Sequence, residues 1–558
     1  MFKICQFGIR GKKHMKTFSK RLPYNATSFE MLRSSNRIYV DKTELVFNLA
    51  DECGPYFLAR PRRFGKSLLL STFASLFSHG TEYFKDLYIE KYWQDKEDYI
   101  VITLNFAENY QNPKELDDTL FNVLLAAAKE NNVDYSLISD PEYKSKEYIA
   151  PDFLKIVVNK SPKKVVLLID EYDYPLCHSL HSEAEYERYR KYLEGFYNDV
   201  KDISGKLRFL FITGISRFSH VSLFSQLNNL DDLGKNAKYA ALLGYTDDEL
   251  HRYFDEYVEN AAEILNTAKE ALYRDLKQHY DGFRMNLDSE ITVYNPWSVI
   301  SFLKNPESGF RSYWYESGGL YPALIVNYIK SIREEPLSGF FRIYIDSDTL
   351  CDTYDFFTIP TPSLLFQSGY LTIRSCNNSF GGTDYYLTPP NLEVRSSLIK
   401  LYYTRIRDIP AEKRLLNSVE TALRNNLRNE DSDNIIRTFD IILNTFGYDN
   451  KVAFSDERNC RDFLYTAITM SGIYAAREMI NTGGRADLVV EYAGKRYVFE
   501  LKLARKNSDA ERLLAEALTQ VRECRYGEDI SLPGKLIRFA VVISAEDKKV
   551  ALWERAEP

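Results

Sequence analysis

Four short apolar runs, separated by long stretches of helical character, most constrain how this chain folds. They are residues 56–59 (YFLA), 99–106 (YIVITLNF), 165–169 (VVLLI) and 208–212 (RFLFI). A short, continuous apolar run indicates a strand that is buried on both faces, as in a parallel sheet covered by helices. Because the runs alternate with helical stretches, the sequence predicts an α/β domain.

Length and composition indicate a multidomain globular protein. One hydrophobic core stops growing at about 250–300 residues, so 558 residues predict two to four domains. Hydrophobic residues make up 45% of the chain and charged residues 27%, and the 41 Tyr and 34 Phe argue against disorder. No run of 18 apolar residues exists, so we expect no transmembrane helix and no membrane partner.

The net charge of −7 excludes a global basic field that would attract nucleic acid. Residues 451–558 carry 18 Lys and Arg against 17 Asp and Glu, a net charge of +1, so the acidic excess lies in the rest of the chain. A weakly basic C-terminal segment is compatible with phosphate contacts.

Seven cysteines are dispersed along the chain and form no C-x-x-C pair. This pattern predicts free thiols in a reducing cytoplasm and excludes a disulfide framework or a zinc site. The N-terminal segment is basic, but no apolar stretch follows it as in a signal peptide. We expect residues 1–20 to be a disordered tail, with Met15 as an alternative start.

The segment R-P-R-R-F-G-K-S at residues 60–67 lies between a predicted strand and an apolar helix, which is the context of a phosphate-binding loop. Backbone N–H groups at the helix N-terminus would face the phosphates, Lys66 would reach the β- and γ-phosphates, and the Ser67 hydroxyl would bind Mg²⁺. Arg60 replaces the first glycine of the general pattern, and the alternative is a chance turn before a helix. We assign ATP binding to Arg62, Arg63, Gly65, Lys66 and Ser67.

The third apolar run ends in two carboxylates, Asp170 and Glu171. An apolar strand that ends this way is typical of a Walker B element, in which Asp170 would hold Mg²⁺ and Glu171 would orient or deprotonate the attacking water. The alternative is a solvated acidic turn. The order of the strands favours a P-loop domain of the class with an inserted strand.

Two further residues are candidates for contact with the γ-phosphate. Thr213 follows the fourth run at a position from which it could sense this phosphate, or it could cap the strand end. Arg217 could act as an arginine finger, although a solvated loop arginine is the more common case.

The central part of the chain has helix signals and one hairpin. Asp41 with Glu44, Thr246 with Glu249, and Asn295-Pro296 predict helix starts, and residues 247–280 are helical. Residues 364–373, 377–383 and 385–387 predict a helix, strand, turn and strand, as in a winged helix or in any small α+β hairpin. We interpret residues 405–450 as a helical connector.

Residues 484–503 predict a second hairpin with a charged face. On its return strand Glu500 and Lys502 share the face opposite Phe499 and Leu501, and Asp487 begins the neighbouring strand. Two carboxylates with a lysine beside them suit a Mg²⁺ site for phosphodiester hydrolysis, in which Lys502 positions or activates water. A helix after Ser508, with Glu511 as its capping partner, and a strand at 536–543 complete an α-β-β-β-α-β order. The alternative is an edge hairpin with a charge pair.

The motifs of the first 400 residues resemble those of the bacterial AAA-ATPase-like family. They are Y-V-D-K-T at 39–43, R-P-R-R-F-G-K-S at 60–67, D-E-Y-D at 170–173, T-G at 213–214, Y-D-G-F at 280–283, Y-N-P at 294–296 and Q-S-G-Y-L at 367–371. Arg60 matches this family although it departs from the general P-loop. The resemblance implies a P-loop ATPase domain over residues 21–245 and a helical and winged-helix extension over 246–440.

Residues from about 450 to 555 resemble the PD-(D/E)XK nuclease domain that is fused to the same family, and we assign this domain to residues 441–558. The resemblance implies a restriction-endonuclease-like α/β fold. It also makes Glu457 the glutamate of the first helix, Glu478 a metal ligand before G-R-x-D, and Gln520 a nucleic-acid contact on the second core helix. Solvated helix faces are the alternatives for Glu457 and Gln520.

Together these observations predict an ATP-binding, Mg²⁺-dependent nuclease with Glu171, Asp487, Glu500 and Lys502 as catalytic residues. The expected partners are ATP and nucleic acid, DNA before RNA, with defence against mobile elements as one setting and a homo-oligomer left open. The alternative is a nucleotide-switched signalling or DNA-binding scaffold whose nuclease fold only grips nucleic acid.

Overall fold

The first large sheet contains five parallel strands in the order β2-β3-β4-β1-β5. The strands are β1 (Pro55–Ala59), β2 (Ile100–Asn105), β3 (Val165–Asp170), β4 (Leu207–Gly214) and β5 (Asp231–Asp232). All four strands predicted from the apolar runs are confirmed. Because β4 lies between β1 and β3, the prediction of a P-loop fold with an inserted strand is confirmed as well.

This computed structural model describes residues 18–108, 110–179, 182–215, 230–316, 343–351, 359–379, 382–405, 413–446, 454–471, 473–481, 484–523 and 535–556. Arg217 and most of the predicted N-terminal tail lie outside these ranges. Among the described helices, none has the length and apolarity needed to cross a membrane.

Among the residues that the structure describes, eight α-helices precede or surround the first sheet. They are α1 (Phe29–Ser34), α2 (Thr43–Glu52), α3 (Lys66–His79), α4 (Pro113–Glu130), α5 (Pro141–Lys144), α6 (Ala150–Lys160), α7 (Tyr174–His178) and α8 (Glu183–Ser204). Every residue of β3 is buried, which explains its continuous apolar run.

A buried carboxylate joins three of these helices. Asp117 on α4 is fully buried and accepts hydrogen bonds from the backbone N–H groups of Ile149 and Ala150, at 2.8 and 3.0 Å, and from the Tyr192 hydroxyl at 3.1 Å. A buried charge is tolerated only when it is partnered. Asp117 therefore ties the start of α6 and the middle of α8 to α4.

The predicted capping box at Asp41 and Glu44 is wrong. Helix α2 has Lys42 as its N-cap, and no side chain caps it. Asp41 instead accepts from Thr43 N at 2.9 Å and, with its other oxygen, from Tyr88 N at 2.9 Å. Asp41 thus binds one local and one distant backbone N–H group, and neither of them belongs to Glu44.

The extension begins at a helix start that the sequence predicted. Thr246 and Glu249 form the expected capping box, and Asn295 caps the next predicted helix, with Pro296 at its first position. The helices of this part are α9 (Asp247–Leu265), α10 (Lys269–Tyr280), α11 (Pro296–Lys304), α12 (Tyr313–Glu316), α13 (Ser347–Cys351), α14 (Thr361–Gln367) and α15 (Leu392–Arg405).

Two small antiparallel sheets accompany these helices. One pairs β6 (Phe283–Arg284) with β7 (Thr292–Val293), and the other has the order β8-β10-β9, with β8 (Ile343–Asp346), β9 (Thr372–Ser379) and β10 (Gly382–Thr388). The predicted helix, strand, turn and strand are confirmed. The turn is shorter than predicted, because pairing of β9 with β10 continues to Ser379 and Gly382.

The second large sheet has the order β11-β12-β13-β14-β15, and only β13 and β14 run parallel. Its strands are β11 (Tyr474–Asn481), β12 (Gly484–Tyr492), β13 (Lys495–Ala504), β14 (Lys535–Ser544) and β15 (Lys549–Ala556). With α18 (Glu457–Met470) and α19 (Ala510–Glu523), they form the expected α-β-β-β-α-β order. The additional strand β15 was not predicted.

The segment interpreted as a connector packs on this sheet instead. It forms α16 (Lys413–Asn429) and α17 (Ser432–Phe446). The ring of Phe439 lies 4.9 Å from that of Phe499 on β13, and the hydroxyl of Tyr497 donates to the carbonyl oxygen of Leu427. A boundary at residue 440 falls inside α17, so we propose that the C-terminal unit begins at Lys413.

The predicted capping box at Ser508 and Glu511 is also wrong. Residues Asn507–Asp509 form a short 3-10 helix, and α19 begins only at Ala510. The Ser544 hydroxyl on β14 donates to the Asn507 side chain at 2.7 Å. This tertiary contact fixes the turn before the helix.

Candidate functional site

The segment 60–65 connects β1 to α3 with two residues in the left-handed conformation. These are Arg63, with φ of 67°, and Gly65, with φ of 98°. Arg60 is not among the residues with positive φ, and its N–H donates to the Gly214 carbonyl oxygen at 3.1 Å. Arg60 therefore extends the pairing of β1 with β4, which explains why no glycine is required there.

Lys66, the first residue of α3, is buried inside the loop. Its Nζ donates to the carbonyl oxygens of Arg60 and Pro61, at 3.1 and 3.3 Å, and lies 3.6 Å from Glu171 Oε1. The ammonium group thus already lies where the loop closes. A bound phosphate would compete with these carbonyl oxygens for it.

Asp170 at the end of β3 joins the other predicted residues of this site. It accepts from the Ser67 hydroxyl at 2.6 Å and from the Thr213 hydroxyl at 2.8 Å. The structure therefore places Ser67, Asp170 and Thr213 in one hydrogen-bonded group at the carboxyl ends of β3 and β4. A serine hydroxyl and an aspartate are the groups that hold Mg²⁺ beside nucleotide phosphates in P-loop proteins.

Glu171 follows directly in a strained conformation. Its φ is 53°, and its Oε2 atom is buried without a hydrogen-bond partner among the described residues. Non-glycine residues with positive φ cost about 1–3 kcal/mol and concentrate at functional sites. In this conformation the Oε1 atom of Glu171 lies 3.6 Å from Lys66 Nζ.

The phosphate loop is packed against the extension through four successive residues. The Trp314 indole N–H donates to the Arg62 carbonyl oxygen at 3.1 Å, and the Arg63 guanidinium lies 4.6 Å from the Trp297 ring.

Two apolar contacts continue this packing on either side. The rings of Phe64 and Phe283 are 4.9 Å apart, and a Cβ on Gly369 would meet Pro61 at 2.7 Å. Sequence reasoning missed these loop partners, because only the fold brings them to the loop.

In the C-terminal sheet, β12 and β13 bring three predicted residues together. Asp487 Oδ2 accepts from Leu501 N at 3.0 Å, and Lys502 Nζ lies 3.1 Å from Glu500 Oε1. Glu500 is only 4% exposed, and its Oε2 atom has no hydrogen-bond partner in the described part of the chain.

Burial and the neighbouring charges shift the pKa values of this group. Burial, and next the Asp487 carboxylate, raises the pKa of Glu500 from 4.5 to about 7, against the lowering effect of Lys502. Burial alone lowers the pKa of Lys502, but the carboxylates of Glu500, Glu457 and Asp487 outweigh it and raise that pKa overall. Lys502 therefore stays protonated at neutral pH, which suits positioning of water better than accepting its proton.

The first turn of α18 adds two residues to this group. Burial raises the pKa of Glu457, with Lys502 lowering it and Asp487 raising it, so Glu457 lies within electrostatic reach of both. Arg461, one turn further, has its Nη1 atom 3.6 Å from Asp487 Oδ1. Sequence reasoning missed Arg461, although its spacing of four from Glu457 places both on one helix face.

Two predicted residues, Glu478 and Gln520, are not among those that the structure brings into this group. Glu478 belongs to β11, but its side chain lies outside the described part of the structure. Gln520 is exposed on α19.

The donor set fits Mg²⁺ held with the help of substrate. Among the described residues, no group of three or more His, Cys, Asp or Glu side chains is arranged to enclose a metal ion. Mg²⁺ is commonly bound through one or two carboxylates, with water and substrate phosphates completing its coordination. Asp487 and Glu500, whose Oε2 atom is buried and unpartnered, meet that requirement.

The strand order, the loop and the Asp170 group define a P-loop nucleotide-binding fold, and the second sheet with its acidic pair defines a restriction-endonuclease-like fold. Residues 23–224 match the family described as predicted AAA-ATPase, and residues 455–554 match the PD-(D/E)XK nuclease superfamily. The chain thus joins an AAA-ATPase-like domain to a domain of the PD-(D/E)XK nuclease superfamily.

A relative from Azotobacter chroococcum mcd 1 is similar over nearly its full length. It is described as "Uncharacterized protein in vnfD 5'region" and is 27% identical over 534 residues, which cover 95% of this chain and 97% of the relative. The similarity therefore includes both domains and the extension between them.

Replacing Lys66 with alanine is expected to weaken ATP binding at least 100-fold, because the loop loses the positive charge that faces the phosphates. Isothermal calorimetry with ATP and Mg²⁺ measures the affinity. Lys129→Ala, at an exposed lysine of α4, is the matched control. Equal ATP affinity in the wild type and Lys66→Ala would refute the assignment of the loop.

Replacing Glu500 with glutamine is expected to stabilise the metal-free protein at pH 8 but hardly at pH 5. Between pH 4.5 and about 7 the unfolded chain loses the Glu500 proton while the folded chain keeps it, so stability falls as the pH rises. A shift of this size corresponds to at most about 3 kcal/mol above pH 7. Urea unfolding in EDTA measures it, with Glu511→Gln controlling for the lost charge, and a pH-independent difference contradicts the assignment.

Proposed function

We propose that this protein is an ATP-binding, Mg²⁺-dependent nuclease whose ATPase region regulates phosphodiester hydrolysis by the C-terminal domain. The observation that carries the proposal is the meeting of Asp487, Glu500 and Lys502 on the adjacent strands β12 and β13. A purely structural pair of Lys502 with Glu500 would need neither the neighbouring Asp487 carboxylate nor a buried Glu500 Oε2 atom without a hydrogen-bond partner among the described residues, because such burial costs free energy.

The roles in hydrolysis follow from the positions of these groups. Asp487 and Glu500 would hold Mg²⁺, which supplies charge stabilisation at the phosphate and a water of lowered pKa. Lys502, protonated beside Glu500, would orient the attacking water. Arg461 restrains Asp487 from the side of α18.

The roles at the phosphate loop rest on the same kind of argument. Lys66 would exchange its carbonyl partners for the β- and γ-phosphates, and Ser67 and Asp170 would hold Mg²⁺. Glu171 would orient the water, and Thr213 would sense the γ-phosphate. The backbone of Arg62, Arg63 and Gly65 would surround the phosphates.

A contact route through the extension supports regulation. Phe64 of the loop packs on Phe283, and a Cβ on the adjacent Gly282 would meet the Pro390 carbonyl oxygen at 2.1 Å. Helix α15 begins just after Pro390, and its Arg395 side chain contacts Tyr465 on α18 of the nuclease unit. A loop rearrangement could thus move α18, and a preference of a few kcal/mol for one arrangement suffices for gating.

We propose DNA ahead of RNA as the substrate. We propose defence against mobile elements as the biological setting. The described cysteines Cys53 and Cys376 are free thiols. They support a reducing, cytoplasmic location within this proposal.

Replacing Glu500 or Lys502 with alanine is expected to slow Mg²⁺-dependent cleavage about 100-fold or more, while ATP binding persists. The exposed residues Glu511 and Lys506 supply matched controls, Glu511→Ala and Lys506→Ala. The assay uses the full chain with labelled DNA and RNA. Undiminished cleavage by both site variants would show that Glu500 and Lys502 take no part in the mechanism. A wild-type protein that binds nucleic acid without cutting it would favour the alternative, a nucleotide-switched scaffold with an inactive nuclease fold.

Nucleotide state is expected to change the cleavage rate of the full chain, measured with no nucleotide, ADP, ATP and a slowly hydrolysed analogue. We expect ATP and the analogue to activate, because the γ-phosphate would engage Lys66 and Thr213. Glu171→Gln should bind ATP without turnover and cut constitutively, with Glu130→Gln on α4 as control. One rate in all four states excludes gating, and a Glu171→Gln variant that never cuts would show that hydrolysis is required.

A further inference from the structure

A cavity of 1140 Å³ lies between the extension and the nuclease unit. Its walls come from β6, β9, β10 and the start of α15 on one side, and from α18 and β11 on the other. The described lining contains two acidic residues, Glu290 and Asp462, and six arginines. These arginines are Arg284, Arg374, Arg395, Arg458, Arg461 and Arg477.

Part of this positive charge is not neutralised by the protein. Arg477 is paired with Asp462 at 2.7 Å. Arg374 on β9 and Arg458 on α18 are exposed, and in the part of the chain that the structure describes neither has a carboxylate partner. Arg284 is 9% exposed, and its Nε atom is buried without a hydrogen-bond partner among the described residues. A polyanion would supply negative charge to Arg374 and Arg458 and a hydrogen-bond acceptor to Arg284.

One ring of a stacked aromatic pair lines the same cavity. Tyr386 on β10 lines it, and its ring stacks on that of Tyr344 on β8, with centroids 5.0 Å apart. The Tyr344 side chain is 75% exposed, although large aromatic side chains are usually at least partly buried in folded proteins. Basic grooves with exposed aromatic rings bind single-stranded nucleic acid, because phosphates meet the charges and unpaired bases stack on the rings.

Arg461 links this cavity to the acidic group of the nuclease. Its side chain lines the cavity, and its Nη1 atom lies 3.6 Å from Asp487 Oδ1. A strand held in the cavity would therefore contact Arg461, the side chain that lies between the cavity and Asp487, one of the proposed metal ligands.

We propose that this cavity binds a single strand of nucleic acid, with its phosphates on Arg374, Arg458 and Arg284 and a base on Tyr344. This inference rests on the proposed nuclease function and assigns its substrate a binding groove. An unpaired strand is specified because a base in a duplex has no free face for stacking on Tyr344.

The test measures fluorescence anisotropy of labelled 12-nucleotide DNA and RNA strands and a DNA duplex, with the full chain in EDTA at several salt concentrations. The double substitution Arg374→Glu/Arg458→Glu should weaken single-strand binding at least tenfold and reduce the salt slope by about 1–2, because two phosphate contacts are lost. Tyr344→Ala should weaken binding several-fold with an unchanged salt slope. Arg188→Glu, at an exposed arginine of α8, is the control.

The outcomes separate the cavity from the nuclease. Wild-type affinity in both site variants, or no strand binding by the wild type, overturns the cavity proposal. Tighter binding of the duplex than of the strand, or displacement by pyrophosphate without dependence on strand length, overturns it as well. If the wild type binds strands through these residues but never cuts with Mg²⁺, the groove stands and the nuclease function fails. Thermal unfolding of each variant checks that these exposed substitutions preserve the fold.

Discussion

Both candidate sites depend on carboxylates that buried strands remove from water. Desolvation of a charge costs several kcal/mol unless partners compensate it. Asp170, 6% exposed, is compensated by the hydroxyls of Ser67 and Thr213, and these bonds hold the helix start and the neighbouring strand in place. Glu500 is compensated only in part, by Lys502, and its pKa rises to about 7. Asp170 thus organises the phosphate loop before any ligand binds. Glu500 instead retains an oxygen without a hydrogen-bond partner among the described residues, which is available to a cation.

The phosphate loop is as much a part of the extension as of the ATPase sheet. The carbonyl oxygen of Arg62, the guanidinium of Arg63 and the ring of Phe64 each contact a residue beyond position 280. Close-packed contacts are bistable and do not deform continuously, so a change in the loop is transmitted as a shift of whole elements. The glycines at 282 and 369 allow these elements to approach so closely, since a Cβ on either would overlap its neighbour.

Much of the fold and of both candidate sites could be predicted because the relevant signals are local. Strands β1 to β4 follow from continuous apolar runs, and the capping box at Thr246 follows from two residues three positions apart. The grouping of Asp487, Glu500 and Lys502 follows from alternation along paired strands. The capping boxes expected at Asp41 and Ser508 failed because Tyr88 and Ser544, distant in sequence, changed the hydrogen bonding of those turns.

Local sequence patterns were enough to predict strands β1 to β4, the hairpin of β12 and β13, the loop between β1 and α3, and the residue types at both sites, since these depend on periodicity and neighbouring positions. Tertiary packing brings α16 and α17 onto the second large sheet, Arg461 to Asp487, and Trp314 to the phosphate loop. It also created the arginine-lined cavity, whose walls are drawn from segments about 200 residues apart. The physical reason is that burial and long-range pairing depend on the packing of whole elements, which no local pattern records.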